Sequence, residues 1–159
     1  IKPKTKFELH LMVRSPERFI KHYLELKPDC IILHVESTQK LAMLIKKIKD
    51  LKIKVSLALN PKTPVSKIIP HINDIDYITL LTVSPEFYGS NFQTKVLDKI
   101  KEIRKITKKP INVDGRIDEL NAITSVKAGA NSLAVSQFLF ENDFEESVKK
   151  IKKAINSVN

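Results

Sequence analysis

Cysteine occurs once in the 159 residues, at Cys30, so no internal disulfide forms, and a zinc site built on Cys and His spacing is excluded. Cys30 opens the apolar run Cys30-Ile31-Ile32-Leu33, which reads as an inert buried thiol rather than a nucleophile. No apolar run approaches the roughly 18 residues a membrane-spanning helix needs, so no membrane partner is expected. The opening Ile1-Lys2-Pro3-Lys4 lacks the apolar stretch of a secretory signal, which makes the cytoplasm the default location. Arginine is scarce: Lys and Arg total 28 and only Arg14, Arg18, Arg104 and Arg116 are arginine. Aromatic residues make up 6%, with no stacking platform among the basic residues and no Gly-rich basic segment, so no nucleic-acid partner is expected despite a net charge of +10. Gly/Ser-rich linkers and low-complexity segments are absent, leaving residues 1–159 as one domain. The chain begins with Ile rather than Met, as an N-terminally incomplete domain would.

What is present is a core's worth of apolar residues, 42% of the chain, arranged in short runs that alternate with amphipathic stretches six times over. Strands are expected at 7–13, 30–36, 54–60, 77–83, 111–114 and 132–136. Helices are expected at 16–27, 38–51, 64–73, 94–108, 118–128 and 143–158. Ser15-Pro16 and Thr63-Pro64 each read as a cap before an N1 proline. The lysine runs, such as Lys46-Lys47-Ile48-Lys49 and Lys149-Lys150-Ile151-Lys152-Lys153, place ammonium groups outward while Ile and Leu face the sheet, which makes them a solvated coat.

Repeated βα units imply parallel strands, in either an open doubly wound sheet or a (β/α)8 barrel. Central strands of an open sheet tend to be apolar on both faces. Here one face carries Glu8, His10 and Met12, then His34 and Glu36, Ser56, Ala58 and Asn60, Asn112 and Asp114, and Ser132, Ala134 and Ser136. The opposite face is Leu, Ile and Val, a division that suits a barrel with a polar lumen. Six units are two fewer than a closed barrel of this kind contains. In such a barrel the chemistry sits at the C-terminal strand ends, where His10, His34 with Glu36, Asn60, Thr82 with Ser84, Asp114 and Ser136 gather. A lumen histidine paired with a carboxylate from another strand is a candidate divalent metal site. His22 and His71 read as surface residues. Asp114 ends a strand with no evident capping duty, Asp118 being better placed to cap the next helix.

These residues fall into motifs in a recognisable order. His10-Leu11-Met12-Val13, Leu33-His34-Val35-Glu36, Ala58-Leu59-Asn60-Pro61-Lys62-Thr63-Pro64, Thr82-Val83-Ser84-Pro85, Val113-Asp114-Gly115 and Ala128-Gly129-Ala130-Asn131 together resemble the ribulose-phosphate 3-epimerase family, from that family's third strand to its end. The resemblance implies a (β/α)8 barrel of which about six units are present. It implies a metal-dependent isomerase acting on a sugar phosphate, D-ribulose 5-phosphate to D-xylulose 5-phosphate, through an enediolate. By the same resemblance His10 is a metal ligand, Asp114 is both a ligand and one of two acid/bases, and Met12 is part of an apolar wall. Gly89, Gly115, Arg116, Ser136 and Gln137 fall at substrate-binding positions. The implied cofactor is a divalent ion such as zinc, iron, manganese or cobalt, and the implied assembly is a homo-oligomer. The family's first two strands, with a serine and a His-x-Asp pair that supplies the second acid/base, have no counterpart here.

Departures from the family pattern accompany the matches. Glu86 and Tyr88 stand where the family has glycines, Arg116 replaces a second glycine after the aspartate, and Ser136-Gln137 replaces Gly-Ser. Arg116 reads either as a charged clamp on phosphate or as a plug in the pocket. These departures open two further readings: an epimerase for another ketose phosphate, such as a hexulose 6-phosphate, or a catalytically degenerate paralogue with a binding or structural role.

Overall fold

The alternating apolar and amphipathic stretches fold as alternating strands and helical segments. The computed structural model describes residues 5–85 and 89–158. The chain divides into two compact units, one running to Leu59 and resuming at Thr63–Ile78, the other comprising Asn60–Lys62 and the residues from Thr79 onward.

The first unit contains β1 (Glu8–Leu11), α1 (Ile20–Glu25), β2 (Cys30–His34), α2 (Leu41–Asp50), β3 (Lys54–Leu59) and the start of β4 (Tyr77–Leu81). Strands β1, β2 and β3 pair in parallel, with Leu9, Ile31 and Val55 in one row and His10, Ile32 and Ser56 in the next. Ile31, Leu33, Val55, Leu57 and Leu59 are wholly buried, and the apolar stripe of α2, Leu41, Leu44, Ile45 and Ile48, is buried as well. This is the i, i+3, i+4, i+7 pattern of a helix lying on a sheet. The other face of the sheet is less polar than expected, because Cys30 and Ile32 lie there and pack with Ala58 and Tyr77.

Three local expectations fail in this unit. The stretch 64–73 is not an α-helix but two short 3-10 turns, Val65–Lys67 and Ile69–His71. Pro70 explains the failure, since it removes a backbone donor and its ring clashes with the preceding turn. Ser15 does not cap with its side chain: it is left-handed, with φ 52°, and its N–H donates to the Ser37 carbonyl at 3.0 Å. A single 3-10 turn, Pro16–Arg18, then leads into α1. Nor does Thr63 stand as the cap of the next turn, whose N-cap position is Pro64; the Thr63 hydroxyl donates to Glu36.

The second unit contains the end of β4, then α3 (Val96–Ile106), β5 (Ile111–Asp114), α4 (Glu119–Ala128), β6 (Ser132–Ala134), a short α5 (Gln137–Phe140) and α6 (Phe144–Asn156). Strands β5 and β6 are parallel. Asp118 caps α4 by accepting the Asn121 N–H at 2.7 Å, and Asp143 caps α6 by accepting that of Glu146 at 2.8 Å. On α6 the lysines 149, 150, 152 and 153 are exposed while Ile151 is buried, as a solvated coat requires. Among the described residues, no helix is long and apolar enough to cross a membrane.

Candidate functional site

His10 and His34 meet at the C-terminal ends of β1 and β2. Register puts His10 beside Ile32 and His34 beside Ala58, so the two histidines are diagonal neighbours on one face, and the small Ala58 leaves room for the second ring. Their Nε2 atoms are 2.8 Å apart, with ring centroids 5.0 Å apart and planes within 14°. His34 is 6% exposed. Its Nδ1 lies 3.4 Å from Glu36 Oε2, and the other carboxylate oxygen of Glu36 accepts the Thr63 hydroxyl. Met12, just past β1, is exposed. His22 is exposed as expected, while His71 is partly covered.

In the second unit Asp114 ends β5, partly buried. Its carbonyl accepts the Thr82 N–H at 2.9 Å and the Thr82 hydroxyl at 3.2 Å, and that hydroxyl also donates to the Gly115 carbonyl. Gly115 has φ 117°, and a Cβ there would come within 2.7 Å of Val83 Cγ2 and 2.9 Å of Thr82 Oγ1. Only glycine fits this turn, which sets the Asp114 carboxylate at the strand end. Arg116 follows with φ 50°, keeping the left-handed backbone that glycine would adopt freely. Its Nη2 donates to the Gly89 carbonyl at 3.1 Å, and its own carbonyl accepts from Asn121 Nδ2 at 2.8 Å.

Arg116 also lines a cleft of about 260 Å³, together with Asp118, Asn121, Gln137 and Glu141. Gln137 opens α5, its Nε2 donating to Oε1 of the C-cap residue Glu141 at 2.6 Å, and Ser136 precedes that helix without a side-chain bond to it. The structure therefore groups Gly89, Gly115, Arg116 and Asp114 through consecutive residues and hydrogen bonds, and brings Gln137 to the same cleft as Arg116. Glu86 and Tyr88 lie outside the described residues.

Among the described residues no three His, Cys, Asp or Glu side chains come together as a metal site. His10 and Asp114 are nitrogen and oxygen donors of the kind borderline divalent ions accept, but two donors do not complete a coordination shell. The pairing of His10 with His34, and the link through Glu36 to Thr63, were missed by sequence reasoning. The His34-x-Glu36 spacing signalled a polar strand end, but only the register of β1 against β2 reveals the partner.

The model of the ribulose-phosphate 3 epimerase family matches residues 2–140. The ribulose-phosphate 3-epimerase of Bacillus subtilis (strain 168) is 32% identical, over 96% of this chain and 74% of its own length. The chloroplastic ribulose-5-phosphate-3-epimerase of Arabidopsis thaliana is 33% identical, over 96% of this chain and 58% of its own. In three dimensions the chain resembles 3-hexulose-6-phosphate synthase from Salmonella typhimurium, with a TM-score of 0.77 at 12% identity over 99% of this chain and 76% of the other. A mutant tryptophan synthase alpha-subunit from Pyrococcus furiosus gives 0.68 at 16% identity over 98% and 68%. At such low identity these structures speak for the fold alone: parallel strands alternating with helices, as in TIM barrels.

Proposed function

Because the chain belongs to the ribulose-phosphate 3 epimerase family, we propose that it interconverts D-ribulose 5-phosphate and D-xylulose 5-phosphate by moving the proton on C3. The observation that carries this reading is Asp114, a partly buried carboxylate set at the end of β5 by a turn that only glycine can make. A carboxylate held there is suited to general acid/base work. Asp114 takes the C3 proton, and the C–H electron pair passes into a planar enediolate with negative charge on the former carbonyl oxygen. Return of a proton to the same face regenerates substrate. Delivery by a second acid to the opposite face gives the epimer. Met12 supplies apolar surface over the planar intermediate, and Gly89, Gly115, Arg116, Ser136 and Gln137 bind the substrate and its phosphate. In this reading His10 and Asp114 would each be a ligand from this chain to a divalent ion, which when bound would supply polarisation of the carbonyl.

Incubation with D-ribulose 5-phosphate in D₂O tests the proposal. Deuterium should enter at C3, and Asp114→Asn should slow its entry by about 10³-fold, the scale of a lost general base. A sugar recovered unlabelled would overturn it.

Arg116 favours a second reading, an epimerase for a different ketose phosphate. Its guanidinium occupies space a glycine would leave open and bonds to Gly89 at 3.1 Å, changing the volume and charge offered to a phosphate. A side-by-side assay of pentulose and hexulose phosphates distinguishes the two, the better substrate being that with the higher kcat/KM.

A further inference from the structure

Most lysines coat the helices, but four gather at the N-terminal ends of β1, β2 and β3, the end of these strands opposite His10 and His34. Lys6, Lys27, Lys52 and Lys54 line one cavity of about 500 Å³ there, built entirely from the first unit. Glu8 and Asp29 line it too, which leaves an excess of two positive charges. Asp29 is committed to the backbone: its Oδ2 accepts the Phe7 N–H at 3.0 Å and its carbonyl accepts the Lys54 N–H at 3.2 Å. These bonds tie the starts of the three strands together. Lysines elsewhere pair with acids, as Lys46 does with Asp50 and Lys49 with Asp76. Among the described residues none of the four cavity lysines is ion-paired.

Two of the four stand where lysine is unfavourable. Helix α1 ends at Glu25 and α2 at Asp50, and Lys27 and Lys52 each lie two residues further on, left-handed, with φ 50° and 58°. Glycine is the usual residue in that position after a helix, and the chain does end α4 on a left-handed glycine, Gly129. At both loops that reach this cavity it carries an ammonium group instead. The wall behind the lysines is apolar, with Leu24, Pro28 and Ile53 buried. The cavity falls in the size range of small-molecule pockets, roughly 300–1,000 Å³, and offers more room than a bare phosphate fills. Lysine binds phosphate as a point charge, and a phosphate monoester near pH 7 carries close to the two negative charges that the lysines leave unbalanced.

We propose that this cavity is a second binding site, taking a small organic phosphate monoester, its phosphate held by Lys6, Lys27, Lys52 and Lys54 and its organic body lying against Leu24, Pro28 and Ile53. The site lies at the opposite strand ends from His10 and His34 and does not depend on the epimerase reading.

Phenyl phosphate, a phosphate on a compact apolar body, is the probe. Titrated into ¹⁵N-labelled protein, it should give saturable amide shifts at residues 27–30 and 51–54. Lys27→Gly/Lys52→Gly removes two charges while relaxing both loops, so its melting temperature should stay level or rise. Its affinity at this site should fall by about tenfold or more, the scale of one lost charged contact. Lys149→Ala/Lys152→Ala removes the same charge from α6 and should bind as the unaltered protein does. Should the glycine variant not fold, Lys6→Gln/Lys54→Gln takes its place with the same expectation. Shifts confined to the strand ends around His10 and Asp114, or undiminished binding by the cavity variant, would overturn the proposal. So would inorganic phosphate binding as tightly as phenyl phosphate, since the apolar wall would then contribute nothing.

Discussion

Cys30 is 1% exposed, and burial pushes its thiol up to about 12, with Glu8 and Asp76 adding smaller electrostatic effects in the same direction and hydrogen bonds opposing them. Burial likewise raises the neighbouring Tyr77 phenol. A free thiol titrates near 8.5, so the folded chain holds a proton that the unfolded chain gives up as pH rises. Stability contributed by the protonated thiol is complete below about pH 8.5 and is lost progressively from there towards pH 12. The same burial gives two expected outcomes: denaturation midpoints should decline above about pH 8.5, less steeply in Cys30→Ala, and a thiol reagent at pH 8 should modify Cys30 only as fast as the protein unfolds. Rapid modification of the folded protein would contradict this account. At this scale the inert thiol was legible from its apolar run, and so was Asp118 as the cap of α4. The His10–His34 contact was not, because residues 24 apart become neighbours only once two strands choose a register.

Arg104, near the end of α3, secures the turn between α4 and β6. Its Nε donates to the Gly129 carbonyl at 2.8 Å, its Nη1 to the Lys109 carbonyl at 2.6 Å, and its Nη2 to Asn131 Oδ1. That Asn131 oxygen also accepts the Ile111 N–H at 3.0 Å, at the start of β5. A fork of donors spreads over three acceptors where a lysine has one nitrogen. Arg104→Lys should therefore cost about 2 kcal/mol, the loss of two bonds around partly buried acceptors, read as a lower urea midpoint with an unchanged slope; a change within about 0.5 kcal/mol would show the fork to be dispensable. Elements of this kind were legible as far as their existence and order. Helix 64–73 was not, because the apolar spacing that suggested it ignored Pro70, whose missing donor and bulky ring outweigh the pattern.

Over the whole molecule, the charge of +10 is spread across exposed lysines, and the ion pairs among them, such as Lys46 with Asp50 and Lys101 with Asp98, are highly exposed. Exposed pairs contribute little and are screened by salt, whereas like-charge repulsion opposes the folded state throughout. Moderate sodium chloride, about 0.5 M, where screening extends over only a few ångströms, should therefore raise the melting temperature; a fall would mean that the ion pairs outweigh the repulsion. The sequence alone determined the alternation of strands and helices, the division of the strands into an aliphatic and a more polar face, and the family. Each depends on local periodicity or on motifs in linear order. Only the tertiary structure decided that Cys30 and Ile32 share a face with His10, that His10 meets His34, and that Arg116 reaches Gly89. Those facts depend on strand register and on which distant side chains compete for one partner, and neither is written in the spacing of residues along the chain.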